Sequence, residues 1–216
     1  RLTLRDHLVP RLLEAARGPG VASGQIGPLL ADVVGHPMAK AAIELAMLDA
    51  EGHAAGHPLA ALLAPRPPGP ATTVPAGVAI GLLDGPTAVA EAVVARMADG
   101  YGRVKLKIAP GHDIDHLRAA REAGGPDLVL VADANGAYRW DGEPGAPDDA
   151  RRLSELDDLG LASLDQPLAA GDLLDHVELA GRMATPICLD ESLTSLAVTE
   201  QALDMGACSV VCVKAP

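Results

Sequence analysis

Hydrophobic and polar positions divide the chain into two stretches of different rhythm. Over residues 37–50 strong helix formers carry apolar residues at 38, 42, 45/46 and 49/50, with Pro37 in the opening turn, which predicts a helix. Met38 and Met47 are expected on its core side. A shorter helix is expected over residues 5–16, stopped by the Gly18-Pro19-Gly20 turn. Four prolines at 65, 67, 68 and 70 exclude helix or central strand and predict a linker over 65–72. Beyond it, short β-branched runs alternate with amphipathic stretches, the pattern of βα units around a parallel sheet. Strands are expected at 73–80, 103–108, 128–133, 161–165, 187–190 and 209–214. Helices fit between them at 86–98, 114–122, 147–158, 173–182 and 196–205, and 139–145 reads as a loop. Right-handed crossovers place such strands in chain order in one sheet.

Composition narrows the function classes. The 216 residues are 49 % hydrophobic and 21 % charged, enough for a real core and unlike a disordered tail. Seventeen basic against 29 acidic residues give a net charge of −12, and aromatic residues are 1 % with no Phe. A nucleic-acid partner is therefore not expected: the backbone would be repelled, and bases would find nothing to stack on. Cys188, Cys208 and Cys212 form no CxxC pair, which suits a reducing, cytoplasmic setting. No run of about 18 apolar residues predicts a membrane span. The start, Arg1-Leu2-Thr3, has neither a signal-peptide pattern nor a Met, and suggests a fragment or a processed chain.

Charge inside the predicted strands carries the chemistry, because parallel strands are normally apolar on both faces. Lys107, Asp133, Asp165, Asp190 and Lys214 fall at or near the C-terminal ends of successive strands, at separations of 26, 32, 25 and 24 residues. Each interval suits one βα unit, and a barrel would gather such a series at one mouth. Three carboxylates there repel one another unless a cation joins them, and hard oxygen ligands favour Mg²⁺ or Mn²⁺. In Val104-Lys105-Leu106-Lys107-Ile108 the lysines share one face and the apolar residues the other. Both ammonium groups are then expected inside, each lowering the pKa of the other toward that of a usable base. Cys188 and Cys212, by the same parity, face inward as small fillers.

Lys105-Leu106-Lys107, Asp133-Ala134-Asn135, Asp165-Gln166-Pro167-Leu168, Asp190-Glu191-Ser192 and Lys214, in this order, resemble the enolase superfamily, and within it the muconate-lactonizing subgroup. The stretch from His36 to Ala50 is similar to the capping-domain helix of o-succinylbenzoate synthases and N-acylamino acid racemases. The resemblance implies an α/β fold: an enolase-type (β/α) barrel over 73–216, incomplete with about six strands, preceded at 1–64 by the helical part of a capping domain. It also implies that Asp133, Asp165 and Asp190 bind Mg²⁺, and that the ion holds a substrate carboxylate and stabilises the enediolate formed from it. Lys107 would remove the proton α to that carboxylate. Lys214 would stabilise the intermediate in a synthase or reprotonate the opposite face in a racemase. Lys105, Asn135 and Glu191 would support them.

Two departures stand out. The family has Glu where this chain has Asp165, whose carboxylate retracts by roughly 1–1.5 Å on ordinary bond lengths. Metal ligation tolerates only about 0.2 Å of error. The family also continues beyond Lys214 through a seventh and eighth barrel segment and has strands before Arg1, so a longer gene product or a degenerate copy is expected, with open sheet edges that invite association with a second copy. The implied activity is o-succinylbenzoate synthesis, in support of menaquinone synthesis, or N-acylamino acid racemisation. The alternatives are dipeptide epimerisation and an inactive barrel fragment with only a structural role. The pairs His53/His57 and His112/His116 have the spacing of helical metal ligands but no HExxH context, and a metal role is not expected for them.

Overall fold

The computed structural model describes residues 1–18, 20–63, 75–140 and 149–214, and its backbone forms two compact units, Arg1–Val74 with Lys214–Pro216 and Pro75–Val213. The expected linker at 65–72 lies outside the described residues, as do positions 73–74 of the first expected strand, 141–145 of the loop and 147–148 of the helix that follows.

Every regular element among the described residues of the first unit is helical. A π-helical turn, Leu4–Leu8, runs into α1 (Val9–Ala15), and a 3-10 turn, Ser23–Gln25, runs into α2 (Ile26–Leu29). Then follow α3 (Pro37–Ala55) and α4 (Leu59–Leu63). Leu8, Ile26, Leu30 and Ile43 form the core, with Ala39 and Met47 packed against it. The face of α3 turned to this core is therefore Ala39, Ile43 and Met47, at i, i+4 spacing. Met38, expected beside Met47, is 73 % exposed. At 100° per residue, positions nine apart point to opposite sides of a helix, so both methionines cannot face one core. Ser23 fastens this unit by donating from its N–H and its hydroxyl to the Glu51 carboxylate, each at 2.7 Å.

The second unit alternates strand and helix: β1 (Gly77–Ile80), α5 (Pro86–Ala98), β2 (Arg103–Lys107), α6 (Ile114–Gly124), β3 (Val129–Asp133), α7 (Asp149–Leu156), a 3-10 turn (Asp157–Leu159), β4 (Ser163–Asp165), α8 (Leu173–Arg182), β5 (Ile187–Leu189), α9 (Leu196–Met205) and β6 (Val210–Val211). The strands form one parallel sheet in chain order, β1 to β6. Val104 and Leu106 of β2, Leu130 and Ala132 of β3, Leu164 of β4 and Leu189 of β5 are buried in one core with Val89, Val93, Leu117, Leu153 and Leu179 of the helices. Alternation along β2 follows the expected parity: Val104 and Leu106 are buried, Lys105 is partly exposed and Lys107 exposed. Every strand is shorter than expected among the described residues, and β6 keeps only two of its six. Its partner β5 has only three residues, and β6 is paired on that side alone among the described residues.

At the N-terminal ends of the strands, Arg121 reaches from α6 to the carbonyls of Leu128, Leu159, Gly125 and Gly160. One guanidinium thereby satisfies four backbone acceptors in the turns that lead into β3 and β4. The opposite, C-terminal ends of the strands carry the charged series.

Candidate active site

Lys107, Asp133 and Asp165 are the last residues of β2, β3 and β4. The strand register pairs Lys107 with Asp133 and Asp133 with Asp165, so the three stand in one row across neighbouring strands. Asp190 follows the end of β5 by one residue. Asp133, Asp165 and Asp190 are all buried, at 7, 5 and 8 % exposure. Burying carboxylates at this depth requires a compensating positive charge.

Lys105 supplies it. Its Nζ lies 3.1 Å from Asp133 Oδ2 and 2.8 Å from Asp165 Oδ2. The other Asp165 oxygen accepts a hydrogen bond from the Ser163 hydroxyl at 2.7 Å, and Asp133 Oδ1 accepts the Asn135 N–H at 3.3 Å. Burial pulls the Lys105 ammonium down, but the hydrogen bond and charge of Asp165, and then those of Asp133, outweigh it and hold its pKa above the usual lysine value. The expected mutual lowering of the two lysines is therefore overturned at Lys105. Its nearest charges are two carboxylates, which favour the ammonium form.

Lys107 points elsewhere. Its Nζ donates to Asn135 Oδ1 at 2.5 Å, and Asn135 Nδ2 donates to Glu191 Oε1 at 2.9 Å. This chain links the ends of β2, β3 and β5 along an exposed line. Asn135 holds a left-handed backbone, φ 45°, which asparagine adopts more readily than other non-glycine residues. Lys214, expected on the sixth strand, lies three residues past Val211 and is exposed; β6 is too short to carry it.

The donor set is chemically suited to a hard divalent ion, being carboxylate oxygen throughout. Two of the three carboxylates already share one positive charge. Among the described residues no three His, Cys, Asp or Glu side chains stand close enough to hold an ion together. In the register Asp165 pairs with Cys188, and Asp190 follows the last residue of β5.

Cys188 sits beside Asp165, where burial, then the carboxylate's charge, pushes its thiol well above the usual range. It faces inward as a filler, as its parity predicted. His53 bonds the Asp49 carbonyl on α3, and His116, buried, lies 3.2 Å from the Leu83 carbonyl.

Sequence reasoning missed three contributors. Ser163 could have been found by parity, since it lies two residues before Asp165 on the same strand face. Gln166 and Ser192 stand inside recognised motifs, but their joint role depends on contacts of the Gln166 side chain with residues 24 and 26 positions away.

Comparisons with known proteins identify the family. Residues 88–216 match the family described as enolase C-terminal domain-like. The chain is 41 % identical to an N-succinylamino acid racemase of Amycolatopsis sp. over 211 residues, 98 % of this chain and 54 % of that protein. It is 38 % identical to an o-succinylbenzoate synthase of Geobacillus kaustophilus, over 98 % of this chain and 52 % of that one. A dipeptide epimerase of Enterococcus faecalis V583, solved with Mg and the dipeptide L-Leu-L-Tyr, superimposes with a TM-score of 0.80 at 26 % identity, covering 96 % of this chain and 58 % of that structure. The chain thus spans about half the length of the relatives it matches. With its parallel sheet in chain order and its acidic strand ends, it belongs to the enolase C-terminal domain-like family, within the enolase superfamily.

Proposed function

We propose that this chain carries the metal-binding and proton-abstracting half of an enolase-superfamily enzyme that removes the proton α to a substrate carboxylate. The observation that supports this most directly is the buried pair Asp133 and Asp165 drawn onto one cation at the strand ends, with Lys107 in the same register row. Asp133, Asp165 and Asp190 would hold a Mg²⁺ ion, for which Mn²⁺ can substitute. Bound there, the ion would supply positive charge to the substrate carboxylate and so acidify its α-proton.

The chain's own residues supply the remaining steps. The amine of Lys107 accepts the α-proton at Nζ, oriented by its bond to Asn135, which Glu191 holds in turn. Lys105 remains an ammonium and keeps the Asp133 and Asp165 oxygens converged. Lys214 is assigned the opposite face of the substrate, as a cation during dehydration or as the acid that returns the proton in racemisation. Relatives named o-succinylbenzoate synthase and N-succinylamino acid racemase support a substrate of succinyl-bearing carboxylate type. Dipeptide epimerisation is the second reading, supported by the fold match to an epimerase.

Titration of the purified protein with Mn²⁺, followed by paramagnetic resonance, tests the ion site. One saturable site is expected, weakened at least about tenfold by Asp133→Asn, within the range for loss of a charged ligand. A folded protein that binds no Mn²⁺, or an Asp133→Asn variant that binds it unchanged, contradicts the proposal.

A further inference from the structure

This inference rests on the ion-site reading above and concerns what fixes its third carboxylate. Gln166, the residue after Asp165, is 1 % exposed and has a left-handed backbone, φ 40°. Such a conformation is strained for glutamine and persists only where its surroundings enforce it. Its Oε1 accepts the N–H of Asp190 at 3.0 Å and of Ser192 at 3.1 Å. Its Nε2 donates to the Leu168 carbonyl at 3.0 Å and to the Ser192 hydroxyl at 2.8 Å. Both donors and both acceptor sites of the amide are used, and the orientation is forced, because backbone N–H groups can only donate. The backbone of Gln166 adds two more ties: its N–H donates to Cys188 O at 2.8 Å, and its carbonyl accepts Gly136 N–H at 2.7 Å. One residue therefore joins the ends of β3, β4 and β5.

We infer that Gln166 is the positioning residue of the 190–192 turn, setting the Asp190 carboxylate for the ion and, through Glu191 and Asn135, the Nζ of Lys107. The turn has Asp190 at its start and Ser192 at its end, both amides held by one oxygen. Glu191, between them, is the residue that reaches Asn135. A side chain of another length at 166 would release both amides together.

Gln166→Asn tests this with two readouts. Asparagine tolerates a left-handed backbone better than glutamine, which favours folding, yet it is one methylene too short to reach both amides. Hydrogen exchange at the Asp190 and Ser192 amides is expected to quicken about tenfold, the equivalent of about one net hydrogen bond, while the Val131 and Leu164 amides stay unchanged. Mn²⁺ affinity, read by paramagnetic resonance, is expected to fall at least about tenfold. Arg121→Ala, which acts at the far ends of the strands, is expected to lower the unfolding midpoint and leave both readouts alone.

Unchanged exchange at the two amides overturns the inference. So does quickened exchange with unaltered Mn²⁺ affinity, and so does an Arg121→Ala variant that reproduces both effects. If the asparagine variant does not fold, Ser192→Ala, which removes one of the four partners, is read in the same way with an expected change of about threefold. A wild-type protein without any Mn²⁺ site contradicts the proposed function instead, and amide exchange alone then decides whether Gln166 holds the turn.

Discussion

At the scale of single residues, the site turns on how buried carboxylates are neutralised. Asp133 and Asp165 each bring one oxygen to Lys105, and the ammonium keeps 26 % of its side-chain surface exposed. Removing one member of such a pair leaves the others buried and uncompensated. Lys105→Met is therefore expected to lower the unfolding free energy by about 2–3 kcal/mol, below the value for a fully buried pair because the lysine keeps part of its hydration. Urea denaturation measures this. Millimolar Mg²⁺ is expected to restore more stability to the variant than to the wild type, since an ion that binds only the folded state stabilises it by mass action. Equal stability of the two proteins would mean that the ammonium does not neutralise the pair. The residue identities at the ends of β2, β3 and β4 were legible in the sequence, because charged residues recurring at successive strand ends contradict the apolar rule for parallel strands. The environment of each was not. Lys105 and Lys107 share a face by parity, yet one lies between two carboxylates and the other against an amide, a difference set by neighbouring strands.

At the scale of elements, the loop from β4 to α8 shows how polar groups fix a strand end. His176, on α8, is fully buried; its Nδ1 lies 2.5 Å from the Asp172 carbonyl, and its Nε2 accepts the Leu168 N–H at 3.3 Å. An Nε2 that accepts must be unprotonated, so the imidazole is neutral, with its proton on Nδ1. Burial lowers its pKa below the ordinary 6.5, against the smaller opposing pull of the Asp172 carbonyl and carboxylate. The unfolded chain therefore binds the proton more readily than the folded one. The stability it contributes is complete above about pH 6.5 and is lost as pH falls below that value. Urea midpoints at pH 7.5 and 5.5 are expected to fall for the wild type, and to fall less for His176→Gln; identical losses in both would remove this histidine from the account. Helix ends here were well marked in sequence: α5, α8 and α9 occupy the expected residues, their starts set by Pro86 and by the Asp172 and Ser195 caps. Strand lengths were not legible, since pairing depends on the partner: β6 shrinks to two residues beside the three of β5.

At the scale of the whole molecule, six parallel strands in chain order set an acidic row at one end of a sheet, and the comparisons assign the chain to the enolase superfamily. The fold class was legible because six strands alternating with five helices at similar spacing admit few other arrangements. The stagger that sets Asp190 beyond the Asp133 and Asp165 row was not legible, because register belongs to strand pairs and no single segment encodes it. No described helix is long and apolar enough to cross a membrane. The central claim is that Lys107 removes an α-proton beside a carboxylate-bound ion. Exchange of the α-proton of an N-succinylamino acid for deuterium, followed by proton NMR in D₂O with Mg²⁺, tests it most directly. The account predicts exchange by the wild type and a rate lowered about 10²- to 10⁴-fold in folded Lys107→Met. Exchange that persists undiminished in that variant, or none at all in a wild type that binds the ion, would contradict it.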